Sequence, residues 1–444
     1  MATLLADQND LSGSEVPSPY QGPVRLALFQ GRGRGLVASA PIAAGETILV
    51  SHAFATGDLR TLLPNAVRRL KAAGGRERDQ FFALYDGTNG GQLPPSDLFA
   101  AEPAEGYVGR TLQVEPQRIR RIVELNSHDL TDLHEQAGGQ GDFMAMWLLP
   151  AFMNHSCSPS VLTVHVGLEV MVFKAARNLA AGEELTDSYT NLFCPRKQRQ
   201  ENLMEQKGFQ CSCCRCNSEA ALDEAVVQRL FARVPADLRS PESVVRALQP
   251  LVKELEVSMA DALPELWQAS FLPVYIHLAH ALEQQASPDA ASAYDRAAAI
   301  LQHAMPGSAY HTEFALRAAI AWAGRTLLPS PALVRALRTL GVAHALRFGG
   351  ARARLRARLA GRLPAPLLEA AFGLVFSLQE ADIGAPVELT LHLPAQAQCS
   401  QVELLVASTG ARANWHAGVE GPEEAHVAFP RCLREVGPAK YRRR

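Results

Sequence analysis

The sequence predicts an α+β protein, with small sheets in its first half and helices in its second. Three observations carry this reading. Residues 24–56 alternate short β-rich pieces with Gly-rich turns. Strand character returns at 161–174, and after residue 217 the composition shifts to Ala- and Leu-rich segments at helical spacing. At 444 residues the chain exceeds one ordinary core and should divide into two or three domains.

Residues 1–22 carry Asp7, Asp10 and Glu15 and no basic start followed by an apolar run, so they read as a disordered leader rather than a signal or transit peptide. A cytoplasmic or nuclear protein is the resulting expectation. Val24–Phe29, Leu36–Ala38 and Thr47–Val50 read as strands. Residues 57–135 read as mainly helical: "LLPNAVRRLKAAG" is apolar at helical spacing, and "PQRIRRIVELNSHDL" puts Ile119, Ile122 and Val123 on one stripe. Between them "DGTNGGQLPPSD" is a loop. In "VLTVHVGLEVMVFK" two alternating runs flank a turn at Gly167, which predicts a hairpin. "NLAAGEELTDSY" continues as turn and strand, and "PRKQRQENLMEQKGF" as a short helix with Pro195 near its start and Gly208 past its end. From 218 to about 380, Ser240-Pro241, Ser287-Pro288 and Ser330-Pro331 each sit where an N-cap and first helical residue belong, at a spacing that suggests a helical-hairpin repeat. Residues 381–444 hold two alternating runs, "VELTLHL" and "SQVELLVAS", that suggest a small β element before the basic tail "KYRRR".

Composition is globular: 48% hydrophobic, 20% charged, with a formal net charge of −2. That balance speaks against direct nucleic-acid binding, and the basic stretch "RARLRARLAGR" reads as a solvated face. No apolar run reaches the roughly 18–20 residues of a membrane span.

Two stretches carry chemistry. "AFMNHSCSPS" places Asn154, His155 and Cys157 side by side, and "CSCCRC" places Cys211, Cys213, Cys214 and Cys216 within six residues. Clustering of this kind, without a signal peptide, fits a metal site better than disulfides. Cys211, Cys213 and Cys216 can wrap one Zn²⁺, and a tetrahedral site needs a fourth ligand from Cys214, Cys194 or Cys157. If Cys157 closes the site, a nucleophilic role for it is excluded, because its thiolate would be given to the metal.

Gly-Arg-Gly-Arg-Gly-Leu at 31–36 followed by "IAAGETIL", then "NHSCSP", "GEELTDSY" and "GFQCSCCRC", resembles the SET-domain lysine methyltransferases, in particular the SET- and MYND-domain subfamily. The resemblance covers about residues 24–217. It implies a SET fold of small sheets in which the "NHS" strand end threads beneath the "GEELTDSY" segment as a pseudoknot. It implies S-adenosylmethionine as cofactor, held by Gly33, Arg34, Gly35, Glu124, Asn126, Asn154, His155 and Phe209, with Tyr189 as the catalytic tyrosine. It also implies a post-SET zinc tail (194–217), with Cys157, Cys211, Cys213 and Cys216 as ligands of one structural Zn²⁺. The expected activity is methyl transfer to a lysine of a histone or other protein substrate.

Some positions depart from the family pattern. Residues 51–125 contain no cysteine, so the MYND zinc module is expected to be absent. Ser160 stands where the family motif has asparagine, and Lys207 where an aromatic residue precedes "GF". Both bear on the substrate channel. They motivate an alternative, a catalytically inactive SET scaffold that recruits protein partners through its helical region. A zinc hydrolase needs histidine ligands and an open metal position, which an all-cysteine set does not supply.

Overall fold

The computed structural model describes residues 17–100, 109, 115–136, 138–234, 240–257, 267–325, 330–349, 356, 357 and 359. Residues 1–16 of the expected leader and the expected β element after 381 lie outside them, as does most of the basic stretch 352–362.

Eleven short strands are described, and they form three sheets. The first runs β1 (Tyr20–Gln21), β4 (Thr47–His52), β10 (Val170–Ala175), β9 (Val161–Val166), all antiparallel. The second runs β2 (Val24–Phe29), β3 (Gly33–Ala38), β11 (Glu184–Asp187), β8 (Asn154–His155). The β9–β10 hairpin turns at Gly167, whose φ of 61° is the left-handed conformation glycine adopts without strain. A third sheet was not expected: β5 (Ala55–Gly57), β7 (Met144–Met146) and β6 (Ser127–Asp129), each three residues long. Strands so short show no alternation, and β6 follows a helix without a break, so the region read as mainly helical contains one of them and begins on the last residue of another.

The helices of that region are α1 (Leu62–Ala72), α2 (Gly75–Ala83), α3 (Pro116–Asn126) and α4 (Thr131–Gln136). Leu62, Ala66 and Leu70 of α1 and Ile119, Ile122 and Val123 of α3 face one core with Phe81, Trp147 and Phe173. After β11 come α5 (Arg196–Lys207) and α6 (Cys214–Glu219), then α7 (Glu224–Ala232). Pro195 is the N-cap of α5 rather than its first residue, and Gly208 caps the other end.

Beyond these lie α8 (Pro241–Val257), α9 (Leu272–Gln284), α10 (Ala290–Ala304), α11 (Ala309–Ala323) and α12 (Pro331–Phe348), each packed on the next. Small residues set the close packing: Ala297, Ala298, Ala315, Ala318, Ala319 and Ala336 are fully buried. The Ser330 hydroxyl caps α12 by accepting the Leu333 N–H, as the Ser-Pro pair predicts. Ser240 accepts the Ser243 N–H in the same way. Ser287 does not cap its helix. Asp289 holds that position, and Ser287 accepts the Asp289 N–H at 3.3 Å, so the chain makes one extra turn first. The helices share one hydrophobic core with Cys157, Leu192, Cys211 and Cys216, and α12 packs against β10.

Burial sets the acid response of this fold. It pushes the imidazoles of His128, His165 and His277 down from 6.5 to about 4, and those of His280 and His311 to about 3. Below pH 6.5 the unfolded chain binds protons that the native chain refuses, so the stability these neutral rings contribute is present above 6.5 and lost toward 4. Asp187 opposes this, since burial raises its carboxyl to about 6, but it is one group against five. Urea unfolding should show stability lower by on the order of 2 kcal/mol or more at pH 5 than at pH 7. A flat profile would contradict the buried neutral histidines.

Candidate functional site

The site is assembled where β8 meets β11. These two strands pair in parallel, Thr186 against Asn154 and Asp187 against His155. Ser156 N–H donates to the Asp187 carbonyl at 2.9 Å, and Ser160 N–H to the Thr186 carbonyl at 3.1 Å. The Ser160 hydroxyl accepts the Thr186 N–H at 2.8 Å and donates to the Glu184 carbonyl at 3.2 Å. Serine at this position therefore ties the crossing directly.

His155 is buried, and burial pushes its ring to about 4, which keeps it neutral. Its Nδ1 accepts the Tyr189 N–H at 2.9 Å, so the ring proton sits on Nε2, 3.2 Å from the Cys157 sulfur. One imidazole thus orients the tyrosine on one side and addresses a thiol on the other. The Tyr189 hydroxyl donates to the Met153 carbonyl, and burial raises its pKa. The rings of His155, Tyr189 and Phe209 pack together, with centroids 5.5–6.5 Å apart.

Asn154 faces β3. Its Nδ2 donates to Glu184 Oε1 at 2.8 Å, and Glu184 in turn holds Arg32 at 2.5 Å, which donates to the His155 carbonyl at 2.9 Å. A Cβ on Gly35 would stand 2.8 Å from that Asn154 amide and 2.7 Å from the Phe29 ring, so only glycine lets these two side chains pack so closely on β3. Gly33 has φ of 72°, and its Cα face meets the Gly90 carbonyl from the "DGTNGG" loop. Arg34 is buried and joins the same loop, donating to the Ala83 carbonyl at 2.5 Å and to Asn89 Oδ1 at 3.0 Å, over the Phe152 ring. Asp86 orders the loop by accepting from Thr88 and Asn89 and pairing with Arg118 at 2.9 Å. Of the "Glu-x-Asn" pair, Glu124 is exposed on α3. Asn126 is buried, its amide donating to the Tyr85 and Ile122 carbonyls at 2.8 and 2.7 Å.

The sulfurs of Cys157, Cys211, Cys213 and Cys216 lie within 4.8 Å of one another. Tetrahedral thiolates around zinc, at Zn–S near 2.3 Å, stand about 3.8 Å apart, so this donor set fits one such ion. Cys214 is exposed outside the group, and Cys194 is buried with its sulfur against the Asn191 carbonyl. The crowded thiols are unequal: hydrogen bonding from the other three drives Cys213 down, while the Cys211 thiol raises Cys157. Gln200 grips the Cys211 backbone with two 2.7 Å bonds.

Behind the sulfurs lies a buried ionic knot that the sequence reading missed. Arg199 reaches the Cys157 sulfur at 3.3 Å, the Cys194 carbonyl at 2.6 Å and Glu219 at 2.6 Å. Arg215 binds the other Glu219 oxygen at 2.7 Å and the Leu192 carbonyl at 2.9 Å. Ser270, from the helical array, joins both guanidiniums at 3.2 and 3.0 Å. The i,i+4 spacing of Arg215 and Glu219 was a visible signal, whereas the contacts of Arg199 come from distant segments.

A SET-domain family model matches residues 33–190, which hold this topology and site. Within it the chain is similar to the SET- and MYND-domain lysine methyltransferases. It is 30% identical over 141 residues to the histone-lysine N-methyltransferase SMYD3 of Mus musculus, covering 32% of this chain and 28% of that protein. To the N-lysine methyltransferase SMYD2-A of Danio rerio it is 33% identical over 134 residues, 30% of each chain. The chain thus spans less than a third of these curated relatives. The crystal structure of the SET domain of LSMT bound to lysine and AdoHcy aligns at 12% identity and a TM-score of 0.25, covering 81% of this chain and 98% of that one.

Removing the charge of Glu219 would leave two buried guanidiniums uncompensated. Glu219→Gln should lose about 3–5 kcal/mol of stability in urea unfolding. A loss below about 1 kcal/mol would mean the knot does not hold the tail.

Proposed function

We propose that this protein is an S-adenosylmethionine-dependent protein-lysine N-methyltransferase carrying one structural Zn²⁺. The observation that carries the reading is the single neutral ring of His155, which joins the Asn154 turn, Tyr189 and the four-sulfur cluster. The names of the similar proteins, histone-lysine and N-lysine methyltransferases, support it.

The close approach of the Asn154 amide to the backbone of β3 at Gly35 brings the polar groups that the family pattern assigns to the cofactor together. Asn154, His155, the backbone at Gly33 to Gly35 and the Phe209 ring would hold the cofactor, with Glu124 and Asn126 as further contacts implied by the family pattern. Bound there, the cofactor would supply a methyl group already activated on a sulfonium. The chain's own work is then alignment and desolvation. Tyr189, fixed through its N–H and its hydroxyl, presents an aromatic face and an oxygen dipole to an incoming amine. Apolar walls favour the neutral amine, the form able to accept a methyl group. Cys157, Cys211, Cys213 and Cys216 would bind Zn²⁺ as thiolates, with His155 Nε2–H and Arg199 as outer partners. A protein substrate follows from the activity; histone and non-histone substrates both fit, in the cytoplasm or nucleus, and further protein partners would use the helical array.

Titration calorimetry should show S-adenosylmethionine binding at one site, and transfer of labelled methyl to a histone and cell-protein pool should fall roughly 100-fold in Tyr189→Phe. Equal transfer by wild type and variant, or none from a protein that binds no cofactor, would reject the reading and favour a scaffold. Elemental analysis should find one zinc per chain, lost in Cys216→Ser together with thermal stability. A metal-free protein of unchanged stability would reject the structural zinc.

A further inference from the structure

One lysine, Lys207, reaches into the site beside Tyr189. It ends α5, and Gly208 closes that helix in the left-handed conformation, φ 76°, donating to the Met204 carbonyl. The backbone is therefore fixed, and four methylenes place the amine. Its Nζ lies over the Tyr189 ring, 5.7 Å from the centroid, and donates to the Leu125 carbonyl at 3.3 Å. These partners are a ring face and a carbonyl, not a carboxylate. Phe209, two residues on, packs edge-on against the same tyrosine at 6.5 Å.

A half-buried lysine amine against an aromatic face is held by the forces an aromatic channel uses to accept a lysine: cation–π attraction, one carbonyl acceptor and loss of water. Burial lowers the pKa of the Lys207 amine, in keeping with partial withdrawal from solvent. We propose that Lys207 is an internal occupant of the acceptor-amine position at Tyr189, which a substrate lysine must displace. The inference rests on Tyr189 facing the acceptor amine, as argued above.

The consequence is selectivity. A bare lysine side chain offers the ring what Lys207 already supplies from a tethered position, and tethering gives the internal amine a high effective concentration. Only a substrate with additional contacts around its lysine competes. Lys207 is thus a specificity-determining residue and takes no part in the transfer.

The probe is n-butylamine, the lysine side chain without its backbone, with binding read by ligand-observed NMR on the full chain. Wild type should bind it at least tenfold more weakly than Lys207→Met. Lys207→Gln, which keeps a donor for the Leu125 carbonyl but not the charge, provides a second reading should the methionine variant fold poorly. Equal n-butylamine affinity in wild type and a folded variant would overturn the inference. Calorimetry with S-adenosylmethionine on the same samples separates the two questions. A variant that gains amine binding while cofactor binding is absent throughout would sink the methyltransferase reading and leave the occupant in place. Unchanged amine binding with normal cofactor binding would do the reverse.

Discussion

Two buried guanidiniums on one buried carboxylate fix the position of everything else at the site. Arg199 and Arg215 are fully enclosed, and each takes one oxygen of Glu219. Alone, such a cluster is a poor source of stability, because desolvating three charges costs about as much as their attraction returns. Its value here is positional. The spare donors of the arginines reach Cys157, Leu192, Cys194 and Ser270, so four chain segments converge on one rigid centre. Arg199 also places its positive charge against two of the four clustered sulfurs, those of Cys157 and Cys216.

From that centre the order propagates outward through single atoms. Cys157 fixes the turn that bears His155, the His155 ring fixes the Tyr189 backbone, and the parallel β8–β11 pairing sets the depth of both. Asn154 continues the chain to Glu184 and Arg32 on the far side. Except for Arg32, which stands exposed in the β2–β3 turn, the residues in this sequence of contacts are buried or half-buried. That suits alignment chemistry, where misplacement by about 1 Å costs a large factor in rate.

How far the sequence disclosed this depended on range. Local signals were legible: the β9–β10 hairpin from its alternation and Gly167, α5 from its flanking Pro195 and Gly208, the N-caps at Ser240 and Ser330. The four sulfurs were half legible, since spacing alone left Cys194, Cys214 and Cys157 as rival fourth ligands, and the family likeness chose among them. The three-residue strands β5, β6 and β7 were hidden because nothing so short has a period. Arg34 was expected to meet a ligand. Its guanidinium instead ties the "DGTNGG" loop to β3, a contact that depends on where residue 89 lies in space. Lys207 was visible as a departure from a pattern, but the ring it covers was not.

The site's order of assembly follows from its topology. Arg32, in the turn between β2 and β3, and its partner Glu184 of β11 are 152 residues apart, and Cys216 lies 59 residues beyond Cys157. As the chain emerges during synthesis, the hairpin of β2 and β3 therefore waits with one edge bare until nearly half the polypeptide exists. The parallel crossing can be locked only afterwards, when the last cysteine arrives. Such long-range closure makes folding slow and leaves an unpaired strand edge exposed meanwhile, so the nascent protein is most vulnerable to aggregation before it gains its cysteine-rich tail.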